Sequence, residues 1–206
     1  MKKLFIPAKS KSKVNESKII EISKKIPQNI AIAYSIQFKE IAQEIKKILS
    51  KSHKITKILQ VLGCSKPELP KTTNAILLIG SGRFHGISLA YETKIPIYIL
   101  EKNNLSKITK QDIENFEKKK KASYMKFLNA DNVGILISTK PGQNKLKQTL
   151  EFKKQLKKKS YAFLCNNINT LEFENFNIDS WVNTGCPRLE LDNPAIINMN
   201  RIKPLK

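Results

Sequence analysis

The sequence predicts an α/β protein built from two similar parallel-sheet units, Rossmann-like diverged repeats packed side by side. Three observations carry this expectation. Short, near-continuous apolar runs such as Asn29-Ile-Ala-Ile-Ala-Tyr-Ser35 and Val133-Gly-Ile-Leu-Ile-Ser-Thr139 have the character of strands covered on both faces. Amphipathic helical segments separate them, and strand–helix alternation builds parallel sheet through right-handed crossovers. The order of features in the first half then recurs in the second.

In chain order, Lys3–Ala8 is a short apolar strand candidate, and Asn15 can cap a helix running to about Lys25 with a buried stripe of Ile19, Ile20, Ile22 and Ile26. Pro27 stops that helix. After the strand at Asn29–Ser35 comes a helix over Phe38–Leu49, its apolar side made by Ile41, Ile45, Ile48 and Leu49. Strands follow at Lys57–Leu62, Asn74–Ile79 and Ile95–Leu100, with a short helix over Ile87–Tyr91. A lysine-rich helix spans Lys110–Phe127, and its run Lys118–Lys121 reads as a solvated face. The second half continues with the strand from Val133, a helix over Asn144–Lys158 and strands at Ser160–Leu164 and Ile178–Val182. Pro194–Pro204 can add one edge strand.

In the repeat register, the series from Asn29 through Cys64 to Gly80-Ser-Gly-Arg83 lines up with the series from Asn132 through Cys165 to Thr184-Gly-Cys-Pro-Arg188. Cys64 and Cys165 are then counterparts, whereas Cys186 falls where the first half has Ser81 or Gly82. The expected division is an N-terminal strand and helix over 1–26, one α/β domain over 27–104 and a second over 105–206.

The chain's 206 residues are 40% hydrophobic, which suits a globular fold and argues against disorder. No apolar run reaches the roughly eighteen residues of a spanning helix, so no membrane partner is expected. The start lacks the apolar core of a secretion signal, and a cytoplasmic location is expected. The formal charge of +21 ordinarily points to nucleic acid, but the lysines are scattered and the arginines outside the tail are only Arg83 and Arg188. Direct nucleic-acid binding therefore rests on charge alone and is not the expectation. Three cysteines with no Cys-x-x-Cys pair exclude a local zinc knuckle. Any metal site must gather its ligands from distant segments.

Doubly wound sheets bind ligands outside the carboxyl ends of their strands. Every distinctive segment falls at such an end: Gly63-Cys64, Gly80–His85, Ser138–Gln143 and Asn183–Arg188. Gly80 and Gly82 free backbone N–H groups for close approach, and Arg83 and Arg188 present planar forks suited to carboxylates. Plain readings stay open beside these. Gly-Ser-Gly also makes a tight turn, His85 can be a core or surface histidine, and Lys140-Pro-Gly-Gln143 can simply lead into a helix. Neither glycine-rich segment is a Walker loop or a dinucleotide fingerprint. Thiolates gathered from strand ends suit an iron–sulfur cluster better than magnesium or calcium.

Gln60-Val-Leu-Gly-Cys64, Gly80-Ser-Gly-Arg-Phe-His85, Ser138-Thr-Lys-Pro-Gly-Gln143 and Trp181-Val-Asn-Thr-Gly-Cys-Pro-Arg188 together resemble the diphthamide-synthesis 3-amino-3-carboxypropyl transferases of archaeal type. The resemblance implies a 4Fe–4S enzyme that binds S-adenosylmethionine at the cluster's unique iron. It would cleave the bond from sulfur to the aminocarboxypropyl group and add that group, as a radical, to a histidine of elongation factor 2, the first step of diphthamide biosynthesis. By the same resemblance Cys64 and Cys186 are metal ligands. Gly80, Ser81, Gly82, Arg83, His85, Ser138, Lys140, Pro141, Gly142, Gln143, Asn183, Thr184 and Arg188 line the cofactor cleft. No catalytic residue is assigned, and Cys165 matches no ligand, which makes it a buried strand-end residue. Family members have three related domains with one cysteine each, and this chain resembles the second and third. The expectation is a split subunit completed by a companion chain or by self-association. A truncated fragment, or a non-catalytic member that binds elongation factor 2 or a catalytic sister subunit, remains the alternative.

Overall fold

The computed structural model describes residues 4, 6, 8–63 and 65–202. Half of the strand expected at Lys3–Ala8 lies outside the described residues, and its described positions, Leu4, Ile6 and Ala8, are exposed and not in a strand; Cys64 lies outside the described residues altogether. The chain divides into two compact units, Met1–Ile113 and Glu114–Lys206.

In the first unit, helix α1 (Glu16–Ser23) begins where the Asn15 side chain accepts the Lys18 amide, and it buries Ile19 and Ile22, whereas Ile20, expected in the same stripe, turns to the exposed side. Strand β1 (Asn29–Tyr34) is buried from Ile30 onward because both of its faces are covered. Ile30, Ile32 and Tyr34 face α1 and α2 (Lys39–Leu49), while Ala31 and Ala33 face α3 (Arg83–Thr93). Strands β2 (Lys54–Gln60), β3 (Ala75–Ile79), β4 (Ile97–Glu101) and β5 (Asn104–Lys107) complete a sheet of order β2-β1-β3-β4-β5. β1, β2, β3 and β4 run parallel.

In the second unit, α4 (Lys110–Asn129), whose first turn belongs to the preceding unit, leads into β6 (Asn132–Ser138). After α5 (Leu146–Gln155) come β7 (Lys159–Cys165), β8 (Ser180–Asn183), α6 (Leu189–Asp192) and β9 (Ile196–Asn198). The sheet order is β7-β6-β8-β9, all parallel. One face packs Val133, Ile135, Val182 and Ile197 against Phe127, Tyr124 and Phe152 from the two helices. The other is covered by aromatic rings: Trp181 stacks on Phe173 at 4.1 Å, with Phe163 at 4.8 Å.

Numbered within its own unit, each sheet starts 2-1-3-4, as two copies of one plan would. Further details differ from the sequence expectation. β5 runs antiparallel to β4, so the first sheet is not wholly parallel. Its polar residues carried no strand signal, and a hairpin at Lys102-Asn103, both with positive φ, brings it back to the edge. Helix α3 starts four residues earlier than expected, at Arg83. Within the lysine run, Lys120 is buried rather than solvated, because it falls on the helical stripe of Phe116, Ser123 and Phe127. Its ammonium lies 4.5 Å from the Phe116 ring centre. Among the described residues no helix is long and apolar enough to cross a membrane.

Candidate functional site

Parallel pairing brings the ends of β6, β7 and β8 to one edge of the second sheet. Ser138 and Cys165 are register partners, and Asn183 closes β8. The loop after β8 is held by its own first residues. Thr184 gives both its amide (3.2 Å) and its hydroxyl (2.9 Å) to the Leu136 carbonyl. Asn183 Oδ1 accepts the Gly185 amide at 2.9 Å, and its Nδ2 donates to the Cys186 carbonyl at 2.8 Å. The Leu189 amide donates to the same carbonyl at 3.3 Å. Cys186 therefore sits half-buried in a loop whose peptide is fixed from two sides.

The second predicted segment meets this loop. A Cβ on Gly185 would stand 3.3 Å from the Ser138 Cβ and 3.6 Å from Gln143 Oε1, so the absence of a side chain permits the approach. Ser138 is buried and its hydroxyl accepts the Lys140 amide at 3.2 Å. The Gln143 amide donates to the Lys140 carbonyl at 3.1 Å, with Gly142 in the left-handed region at φ 77°. Lys140, Pro141 and Gly142 are exposed, as is Arg188 at the N-cap of α6. A small cleft beside the loop is lined by Asn183, Thr184, Gly185, Pro187 and Asn198.

Cys165 behaves differently. It is half-buried rather than buried, its carbonyl accepts the Thr139 amide at 2.9 Å, and burial, then the nearby Glu172 charge, push its thiol up from the ordinary value.

In the first unit, the residues flanking Cys64 are braced by α3. The Ser88 hydroxyl donates to the Gly63 carbonyl at 3.1 Å, Lys66 pairs with Glu92 at 2.9 Å, and the Phe84 ring lies against Gly63. The Ser65 hydroxyl accepts the Leu62 amide at 2.7 Å. Gly80 follows β3 with its amide on the Leu100 carbonyl, and exposed Gly82 takes φ 86° at the N-cap of α3, a conformation that favours glycine. Ser81 is exposed beside it. Arg83 pairs with Asp112 at 2.6 Å. That carboxyl is held below its ordinary range by the Thr109 hydroxyl and amide and then by Arg83. His85 is half-buried, with its ring edge-on to Phe84 at 5.3 Å.

Iron–sulfur chemistry asks for sulfur donors on a firm backbone. Cys186, on its braced loop, offers one such donor. Among the described residues no group of three His, Cys, Asp or Glu is gathered for a metal ion. Sequence reasoning missed the supports Phe84 and Ser88, and also Asn198, Glu190 and Arg201, where Asn198 donates to the Pro187 carbonyl at 3.2 Å and to Glu190, which pairs with Arg201. Phe84 lay inside a noted motif, but the others carried no periodic or motif signal.

The family model described as "Putative diphthamide synthesis protein" matches residues 1–196. The 2-(3-amino-3-carboxypropyl)histidine synthase of Pyrococcus horikoshii is 29% identical over 92% of this chain and 60% of its own length. The enzyme of the same name from Methanocaldococcus jannaschii is 30% identical over 94% of this chain and 57% of its own length. The chain thus spans about three-fifths of these relatives. The crystal structure of Dph2 from Pyrococcus horikoshii superposes with a TM-score of 0.76 at 25% identity, covering 92% of this chain and 61% of that one. A second structure of that protein, with a 4Fe–4S cluster, gives 0.72 at 26% identity over 88% and 58%. The chain belongs to the diphthamide-synthesis protein family.

Proposed function

We propose that this chain supplies the family's middle and last domains, over 27–104 and 105–206, to a 2-(3-amino-3-carboxypropyl)histidine synthase. The enzyme would transfer the 3-amino-3-carboxypropyl group of S-adenosylmethionine to a histidine of elongation factor 2, in the cytoplasm. The observation that carries the reading is the braced Cys186 loop lying against Ser138 and Gln143 at the carboxyl edge of its sheet. The named relatives and the cluster-bearing Dph2 structure support it.

In this reading Cys64 and Cys186 are two thiolate ligands of a 4Fe–4S cluster, and a third comes from a companion chain. When bound, the cluster supplies the electron that breaks the sulfur–carbon bond. The chain's own residues do the holding. Asn183 and Thr184 fix the Cys186 loop, and Gly185 admits the Ser138–Gln143 segment. Exposed Arg188 offers a planar fork to the substrate carboxylate, with Lys140 as a second cation. Arg83 already shares its guanidinium with Asp112, so it serves more to anchor the Gly80–His85 turn. Ser81 and His85 stand in that turn.

The test is anaerobic incubation of the chain and its companion with S-adenosylmethionine, dithionite and elongation factor 2. The expected product is a histidine of the factor carrying the aminocarboxypropyl mass. Binding of the factor without transfer would favour the non-catalytic reading, and no binding would overturn both.

A further inference from the structure

A line of buried polar side chains runs from the chain's last described segment to the Cys186 loop. Asn198 ends β9 in register with Asn183, and its Oδ1 accepts Asn183 Nδ2 at 2.6 Å. Its own Nδ2 donates to the Pro187 carbonyl at 3.2 Å and to Glu190 Oε2 at 2.6 Å. The Glu190 side chain is 3% exposed and is paired by Arg201. Consecutive carbonyls, those of Cys186 and Pro187, are thus held by Asn183 and Asn198. A carboxylate this buried is tolerated because it is paired, and stripping its partner leaves an uncompensated charge under the loop.

We infer that Asn198, Glu190 and Arg201 form a clasp that sets the position of the Cys186 thiol; this rests on the reading of Cys186 as a cluster ligand. They are positioning residues that act through the loop backbone. A general stitch on the C-terminal segment would loosen the whole unit. A clasp should loosen Cys186 alone.

The test uses the full chain, reduced and free of cluster, with iodoacetamide labelling of Cys186 and Cys165 followed peptide by peptide. Asn198→Ala and Arg201→Met should speed Cys186 labelling roughly fivefold or more, the scale of one or two lost buried hydrogen bonds. Cys165 labelling and the emission of Trp181 should stay as in the wild type, and Arg201→Lys should restore most of the protection. An unchanged Cys186 rate in both variants would overturn the clasp. So would Cys165 accelerating in step with a red-shifted Trp181, which marks a general stitch or an unfolded variant.

Iron binding separates the two readings. If labelling follows the clasp while Cys186→Ala still binds full iron after reconstitution, the ligand reading fails and the clasp stands. If labelling is indifferent while Cys186→Ala loses iron, the reverse holds.

Discussion

Phe84 lies so close to Gly63 that a Cβ at residue 63 would fall 2.2 Å from the ring's Cε1. The contact presses the first turn of α3 onto the residue preceding Cys64. It also links two segments separated in sequence, Gln60–Cys64 and Gly80–His85. Gly63→Ala should therefore displace the ring and cost about 1–3 kcal/mol, as overpacking does. Denaturant unfolding of Gly63→Ala, Phe84→Ala and the double variant checks this. The double variant should be more stable than the two single losses added together, because removing the ring removes the clash.

A second close approach makes a similar demand in the other unit. Gly134 is the register partner of Trp181, and a Cβ there would stand 2.4 Å from the indole. Gly134→Ala should push the indole off Phe173, lowering stability by about 1–3 kcal/mol. Trp181 is the chain's single tryptophan and is buried, so its emission reports the event directly. A red shift is expected, and an unchanged spectrum would mean that the strand absorbs the methyl by moving.

Acid should weaken the join between the Gly80–His85 turn and α4. Thr109 and Asp112 exchange hydrogen bonds as a capping box, and Arg83 joins the same carboxylate. These partners hold the Asp112 pKa below its unfolded value. Its contribution is therefore fully present above the ordinary carboxylate range and is lost as pH falls through the depressed folded value. Asp112→Asn should remove that part of the acid dependence, read as a shallower fall of unfolding free energy below about pH 4. Identical profiles for the two proteins would contradict the assignment.

Much of this architecture is legible in the residues themselves. Apolar runs such as Ile30–Tyr34 and Val133–Ile137 announce strands covered on both faces, and Asn15 announces the start of α1. β5 is not legible, because Asn104–Lys107 is a polar edge whose identity comes from pairing with β4. The candidate site divides in the same way. Asn183, Ser138, Gln143 and Cys186 stand in segments whose glycines and strand-end positions mark them in the sequence. Asn198 and Arg201 do not, since the β8–β9 register is what carries them to the loop, and Glu190, on α6 beside the loop, gains its role only when they arrive. The partner of Arg83 is equally invisible until α4 brings Asp112 beside it.

The proposed function assigns iron to Cys64 and Cys186, and not to Cys165. Its most direct measurement is iron and sulfide content after anaerobic reconstitution of the chain with its companion, for wild type and for Cys64→Ala, Cys186→Ala and Cys165→Ala. Cys64→Ala and Cys186→Ala are each expected to lose most of the bound iron and Cys165→Ala to retain it. Full iron in both of the first two variants, or its loss only in Cys165→Ala, would contradict it.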